Sequence, residues 1–157
     1  MRKSVQVVIP ESGGRDAGKL YVLQEMPASQ SEKWAARVWL ALARSGSNFQ
    51  VSEEDARSGL AGVAVAIMKA GVNLFSHMHW HDAEPLLDEM WQCVKIMPTP
   101  SNPAVIRDII PDTAGGSDIE EIATRILLRK ELLNLHVDFS EAVARLKSIW
   151  ATATKNT

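Results

Sequence analysis

A glycine-rich turn between two β-rich runs constrains the fold of this chain more than any other feature. The runs are residues 5–9 and 20–26, and the turn includes Gly13-Gly14-Arg15-Asp16-Ala17-Gly18-Lys19. A phosphate-binding P-loop has similar glycine spacing, but it needs Ser or Thr after the lysine and must lead into a helix. Here Leu20 follows the lysine, and Pro27 closes a run whose Tyr and Val content favours a strand. The pattern therefore predicts a β-hairpin over 5–26.

Length and charge limit the function classes that this chain can serve. Its 157 residues suit one domain over 1–157, and the net charge is -2 with scattered Lys and Arg, so we expect no nucleic-acid partner. Cys93 is the only cysteine, which excludes an intrachain disulfide and favours a packing role. The apolar run from Leu60 to Met68 is far shorter than the ~20 residues that span a bilayer, so we expect no membrane partner.

Helix start and stop signals predict about five helices. Their expected ranges are 30–45, 52–71, 82–95, 117–136 and, starting at Asp138 or Ser140, a last one ending near Trp150. Ser29 to Glu32 forms a capping box for the first, with Gly46 as its C-terminal stop. Asp82 is the expected N-cap of the third, and Ser117 to Glu120 is a second capping box. Residues 151–157 are expected to fray.

One further strand completes the predicted fold. Three prolines make 97–103 a loop, and residues 104–110 form a strand candidate that Pro111 closes. This strand would join the N-terminal hairpin. We therefore predict an α+β fold that is mainly α: about five helices, in blocks 30–95 and 117–150, packed with a small hairpin and a third strand.

Apolar helix faces indicate a partner protein. The first helix is apolar almost all round between Trp34 and Ala43. The fourth carries two opposite stripes, which are Ile119, Ile122, Ala123, Ile126 and Leu133 on one side and Leu128, Leu132 and Leu135 on the other. Either this helix is sandwiched inside the domain or one stripe binds another chain. The predicted partner-binding residues are Trp34, Trp39, Leu128, Leu132 and Leu135.

Candidate catalytic and metal sites are weak. In an extended segment His77, His79 and His81 would project together and could bind Zn²⁺, whereas in a helix only His77 and His81 share a face. The adjacent acids Asp88-Glu89 and Glu120-Glu121 would point in different directions on helices, as solvated charges. Cys93 has no evident base, and there is no nucleophile elbow. We expect no enzyme activity, no cofactor and no resident metal.

The order of segments resembles the tail assembly chaperones of long-tailed bacteriophages. The residues that carry the resemblance are Gly14-Arg15-Asp16-Ala17-Gly18-Lys19, Glu25-Met26-Pro27-Ala28-Ser29-Gln30, Glu32-Lys33-Trp34-Ala35, Glu84-Pro85-Leu86-Leu87-Asp88-Glu89-Met90 and Asp118-Ile119-Glu120-Glu121. The resemblance implies a non-catalytic, largely helical protein of the host cytoplasm that self-associates and coats the tape-measure protein during tail assembly. Spare apolar stripes suit such a task, since the client buries its own apolar helix faces only after assembly.

Two alternatives and one coding feature accompany this expectation. A structural virion component, such as a tail-tube or connector-completion subunit, would use the hairpin and the 104–110 strand as assembly edges. A zinc-dependent hydrolase would use His77, His79 and His81.

The tail assembly chaperone family commonly makes a longer frameshifted product. Thr154-Lys155-Asn156 can be encoded by ACA-AAA-AAC, which contains a slippery heptamer.

Overall fold

The protein's structure, a computed structural model, describes residues 1–46, 52–57, 66, 70–110, 116–137 and 148. Within these ranges the sheet has four antiparallel strands in the order β1-β2-β3-β4. These are β1 (Ser4–Val8), β2 (Leu20–Gln24), β3 (Val94–Met97) and β4 (Arg107–Asp108). Four α-helices fall in the described ranges: α1 (Ala28–Ser45), α2 (Glu53–Arg57), α3 (Trp80–Met90) and α4 (Ile122–Val137). The predicted α+β, mainly α class with an N-terminal hairpin is confirmed.

The hairpin of β1 and β2 encloses a compact glycine turn. Val5 pairs with Leu23 and Val7 with Tyr21, and a 3₁₀ helix at Glu11–Asp16 forms the connection. Gly14 has a φ of 60°, a left-handed conformation that glycine adopts without strain. No helix follows Lys19, because β2 begins at the next residue. The residues that imitate a P-loop therefore lead into a strand, as the sequence predicted.

Helix α1 begins earlier than its capping box predicted. It starts at Ala28, directly after Pro27, and no side chain caps its N-terminus, so the predicted cap by Ser29 is wrong. Proline is well suited to this boundary, since its fixed φ fits an extended residue before the first turn. The predicted end is confirmed, because Gly46 takes a left-handed conformation with φ 65° and ψ 10°.

Helix α3 is displaced toward the N-terminus relative to its predicted range of 82–95. His79 occupies the N-cap position and Asp82 lies inside the first turn, so the predicted cap is wrong. The helix ends at Met90, a 3₁₀ turn covers Trp91–Cys93, and β3 follows. Sequence reasoning missed this strand. The Val94-Lys95-Ile96 alternation, in which both apolar residues are at most 5% exposed, is its local signal.

The last two predicted elements are shorter than expected. In the 104–110 segment only Arg107 and Asp108 pair with β3, so most of the predicted strand is absent. Helix α4 starts at Ile122 instead of 117, because Ser117 is in a local turn: the backbone N–H of Ile119 donates to its Oγ at 3.1 Å. Most of the predicted second helix, the predicted fifth helix and the predicted frayed tail fall outside the described ranges. The residues concerned are 58–65, 67–69, 138–147 and 149–157.

One hydrophobic core joins the sheet and the helices. Tyr21, Leu23, Val94 and Ile96 share a face of the central strands, because they are cross-strand partners in register. The same cluster contains Trp34, Val38 and Leu42 of α1, Leu86 and Met90 of α3, and Leu128 and Leu132 of α4. Helix α4 contacts β1, β2 and the glycine turn, so its position depends on the hairpin.

Candidate functional site

The two faces of α4 differ sharply in exposure. Leu128 and Leu132 are 0% and 1% exposed, whereas Ile122 and Ile126 are 76% and 55% exposed. Leu133 and Leu135 are partly buried against the core. Of the two stripes that the sequence predicted, the leucine stripe therefore faces inward. Leu128 and Leu132 are buried in this conformation, and their assignment as contact residues stays a prediction. We call Ile122 and Ile126 the outer stripe.

The tryptophans divide between core and surface. Trp34 is 8% exposed, donates from Nε1 to the Leu86 carbonyl at 3.1 Å and packs edge-on against Phe75. Trp34 therefore packs inside the domain in this conformation, and Trp39 is partly buried against the same core. The assignment of both as partner-binding residues stays a prediction. Among the tryptophans of the described ranges, Trp80 is the exposed one, at 62%. Sequence reasoning did not single it out, because nothing in its neighbours distinguishes it from a core tryptophan.

A shallow groove of about 570 Å³ runs between α1 and α3. Its lining residues are Arg37, Leu40, Ala41, Ala43, Arg44, His81, Asp82, Pro85 and Leu86. Leu40 is 65% exposed, and ion pairs from Arg37 to Glu89 and from Arg44 to Asp82 connect the two helices. The groove therefore has an apolar floor between charged rims, the form that an apolar side chain of another protein can enter.

The glycine turn holds the N-terminus of α4. Asp16 is 0% exposed, and its carboxylate accepts hydrogen bonds from the backbone N–H of Glu120 at 3.0 Å and of Glu121 at 2.9 Å. A helix N-terminus leaves such N–H groups unpaired, and a carboxylate both satisfies them and complements the helix dipole. Asp16 is therefore a cap supplied from a distant part of the chain, a role that no local sequence signal predicts.

Five further residues complete this polar cluster, which consists of Arg15, Asp16, Lys19, Tyr21, Arg107, Asp118, Glu120 and Glu121. Lys19 Nζ lies 2.7 Å from Asp16 Oδ1 and donates to the Asp118 carbonyl at 3.0 Å. Tyr21 donates its hydroxyl to the same carbonyl at 2.8 Å. Arg15 Nε lies 2.9 Å from Glu121 Oε1, and Arg107 binds both carboxylate oxygens of Asp118 at 2.6 and 2.8 Å.

The charges in this cluster stabilise one another. Burial alone would raise the pKa of Asp16, but hydrogen bonds from Lys19 and from the N–H groups of Glu120 and Glu121 outweigh it, so the pKa is lowered. The Arg107 guanidinium lowers the pKa of Asp118, and the Arg15 guanidinium lowers that of Glu121. Burial raises the pKa of Tyr21. All these groups keep their ordinary charge at neutral pH, which suits an anchor better than an acid–base site.

The acid pairs have structural partners. Glu89 accepts a hydrogen bond from Gln30 at 2.9 Å and pairs with Arg37, which ties α3 to α1. Glu120 and Glu121 precede α4 and bind Lys19 and Arg15. The prediction that both pairs are solvated helix charges is therefore wrong for Glu89, Glu120 and Glu121. Their carboxylates form ion pairs with Lys and Arg side chains of neighbouring elements.

The histidines and the cysteine do not form a reactive site. His77 ends a 3₁₀ helix, His79 is the N-cap of α3 and His81 lies in its first turn, so the three do not share one extended segment. In the described ranges, no three or more His, Cys, Asp or Glu residues are placed to hold a metal ion. Cys93 is 6% exposed, and burial raises the pKa of its thiol to about 11, which keeps it protonated.

None of the described helices is both long and apolar enough to cross a membrane. Comparisons of the chain with protein-family models, with curated proteins and with solved structures find no significant match. The outer stripe and the groove are two surfaces at which apolar side chains are exposed to solvent.

Proposed function

We propose that this protein is a tail assembly chaperone, which holds the helical tape-measure protein of a long-tailed bacteriophage until the tail is built. The outer stripe of α4 is the client-binding surface. The observation that carries the proposal is the exposure of Ile122 and Ile126, at 76% and 55%, on a helix whose opposite face already fills the core.

Physical chemistry favours a helical client for this surface. Ile122 and Ile126 are one turn apart, so their side chains are neighbours on the helix surface. Leu133 follows seven residues after Ile126 and is partly buried, which extends the stripe along α4. Apolar residues at such intervals pack against the apolar face of a second helix, and burying each isoleucine contributes about 1.5–3 kcal/mol. A tape-measure protein in its unassembled state would offer such faces in series.

The first experiment is co-expression of the full chain with the long helical protein encoded beside its gene. We expect the client to become more soluble and to co-purify with this chain. No gain in solubility together with no co-purification would contradict the proposed function.

A matched pair of variants then locates the surface. Ile122→Ser with Ile126→Ser removes the outer stripe, whereas Val105→Ser with Ile106→Ser removes two exposed apolar residues, 46% and 43% exposed, from a loop. We expect only the first pair to abolish co-purification. Loss of co-purification in both pairs would indicate non-specific adhesion. Loss of co-purification only in a Leu40→Ser/Trp80→Ser variant would indicate that the client binds near the groove instead.

A structural virion component is the second candidate, and the open edge of β1 favours it. Val5 and Val8 of this strand are 38% and 60% exposed, and β1 is at the end of the sheet order among the strands that the structure describes. Open edges are ready templates for joining subunits. Mass spectrometry of purified particles separates the candidates, since a chaperone leaves before the particle is complete and a structural component remains in it.

A further inference from the structure

We propose that two copies of this chain pair along β1, in antiparallel register about a two-fold axis through Gln6, so that two four-stranded sheets join into one of eight. The occupant of the open edge is thus a second copy of this chain. The proposal does not depend on the client, because it uses the sheet edge and not the outer stripe.

The main chain of β1 has the required symmetry. At one end of the strand the Lys3 carbonyl accepts a hydrogen bond from the Glu25 N–H, and at the other end the Ile9 N–H donates to the Lys19 carbonyl, so both residues face β2. Because bonding direction alternates along an antiparallel strand, Ser4, Gln6 and Val8 point their N–H and C=O groups away from β2. A two-fold axis at Gln6 places Gln6 opposite its own copy and Ser4 opposite Val8, so every outward group meets a partner.

Side chains on the inner face also match in this register. Val5 and Val7 lie over the core, beside Leu23 and Tyr21 of β2, yet Val5 is still 38% exposed. The two-fold axis places Val5 of one copy opposite Val7 of the other. Directly opposed β-branched residues contact each other closely. The pairing would therefore cover the exposed part of Val5 and continue the apolar row from one copy to the next.

Charge at the ends of β1 is complementary in the same register. Arg2 lies just before the strand, whereas Pro10 and Glu11 lie just after it, and all three are exposed. Antiparallel pairing about Gln6 sets Arg2 of one copy opposite Pro10 of the other and next to Glu11. The pairing therefore brings a cation of one copy near an acid of the other at each end of the joined strands.

The two edges of the sheet differ in how they are protected. At the far edge β4 has only two residues, Arg107 and Asp108, both charged. Short, charged edge strands are the usual defence against pairing with another chain. Strand β1 has five residues, Ser-Val-Gln-Val-Val, with no proline and no charge. The unprotected edge is therefore the one that has the symmetry for self-pairing.

The test uses the property that a residue on a two-fold axis faces itself. We expect the full chain to sediment as a dimer in analytical ultracentrifugation. Gln6→Lys and Gln6→Glu, each alone, would oppose like charges and raise the dissociation constant roughly 5-fold. An equimolar mixture of the two variants would restore the dimer, because Lys then faces Glu.

A second variant and a control separate pairing from folding. Gln6→Pro removes an N–H that points away from β2, which an edge strand tolerates, and should raise the dissociation constant roughly 10-fold or more. Gln24→Lys places a charge on the neighbouring strand, on the same face but away from the axis, and should leave the dimer intact. A monomer at all concentrations, or a dimer that persists with unchanged affinity in Gln6→Lys, would overturn the proposal.

Discussion

Two regions of helix α4 differ in chemistry: a polar cluster holds its N-terminus, and an apolar stripe covers its outer face. The polar cluster combines charged groups with a glycine turn, the features that usually suggest a nucleotide or catalytic site. Yet the carboxylates of Asp16, Asp118 and Glu121 are bound to cations or N–H groups of the same chain. The outer stripe has no unusual chemistry, but Ile122 and Ile126 remain exposed.

This contrast indicates where a function should be sought. Charged groups that satisfy one another contribute to stability and have little capacity left for a ligand. Exposed isoleucines cost free energy in water, and a surface of this kind is commonly covered by another molecule. Substitutions in the two regions should therefore have different effects on stability.

The largest effect is expected from Asp16→Ala. This change removes a fully buried carboxylate and leaves the N–H groups of Glu120 and Glu121 without their acceptor. We expect a loss of about 3 kcal/mol in the free energy of unfolding, measured by urea denaturation. The matched control is Glu11→Ala, because Glu11 is an exposed acid in the same turn. This control should change the free energy of unfolding by less than about 0.5 kcal/mol. Equal stability of the two variants would refute the anchoring role.

Truncation of a leucine on the inner face of α4 should lower the free energy of unfolding by a similar amount. Leu128→Ala leaves a cavity at a position that is 0% exposed, so we expect a loss of about 2–5 kcal/mol. Ile122→Ala on the outer face should cost less than about 0.5 kcal/mol apart from a small helix-propensity effect. Thermal and urea denaturation of both proteins measure the difference, and similar losses would mean that the outer stripe is buried in solution.

Acid should weaken the polar cluster in a defined direction. The lowered pKa values of Asp16, Asp118 and Glu121 mean that their stabilising effect is complete above the unfolded-state values near 4. It is lost as pH falls through the lower folded-state values. Asp118→Asn should cost about 1–2 kcal/mol at pH 7, because Arg107 is partly exposed, and should flatten the acid limb of the profile. A limb of unchanged steepness would contradict this assignment.

The smallest effect on stability is expected from the outer stripe. Ile122→Ser with Ile126→Ser should change the free energy of unfolding by less than about 1 kcal/mol, since both side chains are largely exposed. Circular dichroism and urea denaturation test this expectation. A large loss would show that the two isoleucines help to hold the fold and would remove the reason to assign them to a partner.

Sequence patterns predicted the fold class and the hairpin because these depend on local features. Alternating β-branched residues, the glycine turn and Pro27 all act within a few positions. The same patterns missed β3, because Val94–Met97 is a short strand that directly follows a helical pattern and gains its stability by pairing with β2. They also placed caps at Ser29, Asp82 and Ser117, where proline, His79 and a local turn determine the outcome instead.

The candidate site was less predictable from the sequence than the fold class, because it depends more on tertiary contacts. Both stripes of α4 were visible in the sequence, but periodicity does not say which one faces a core. The segments that suggested a family resemblance also have partners that their sequences do not reveal. Residues of the glycine turn bind Asp118 to Glu121, and Gln30 and Trp34 bind Glu89 and Leu86. Such contacts join residues that are 52 to 105 positions apart, beyond the reach of any local pattern.

Titration of a purified tape-measure segment measures whether Ile122 and Ile126 bind a client helix. The segment is titrated into the unchanged chain, the Ile122→Ser/Ile126→Ser protein and the Val105→Ser/Ile106→Ser loop variant. We expect saturable binding to the unchanged chain and to the loop variant, and at least a roughly 10-fold weaker complex for the folded Ile122→Ser/Ile126→Ser protein. Equal affinity in all three proteins would contradict this expectation.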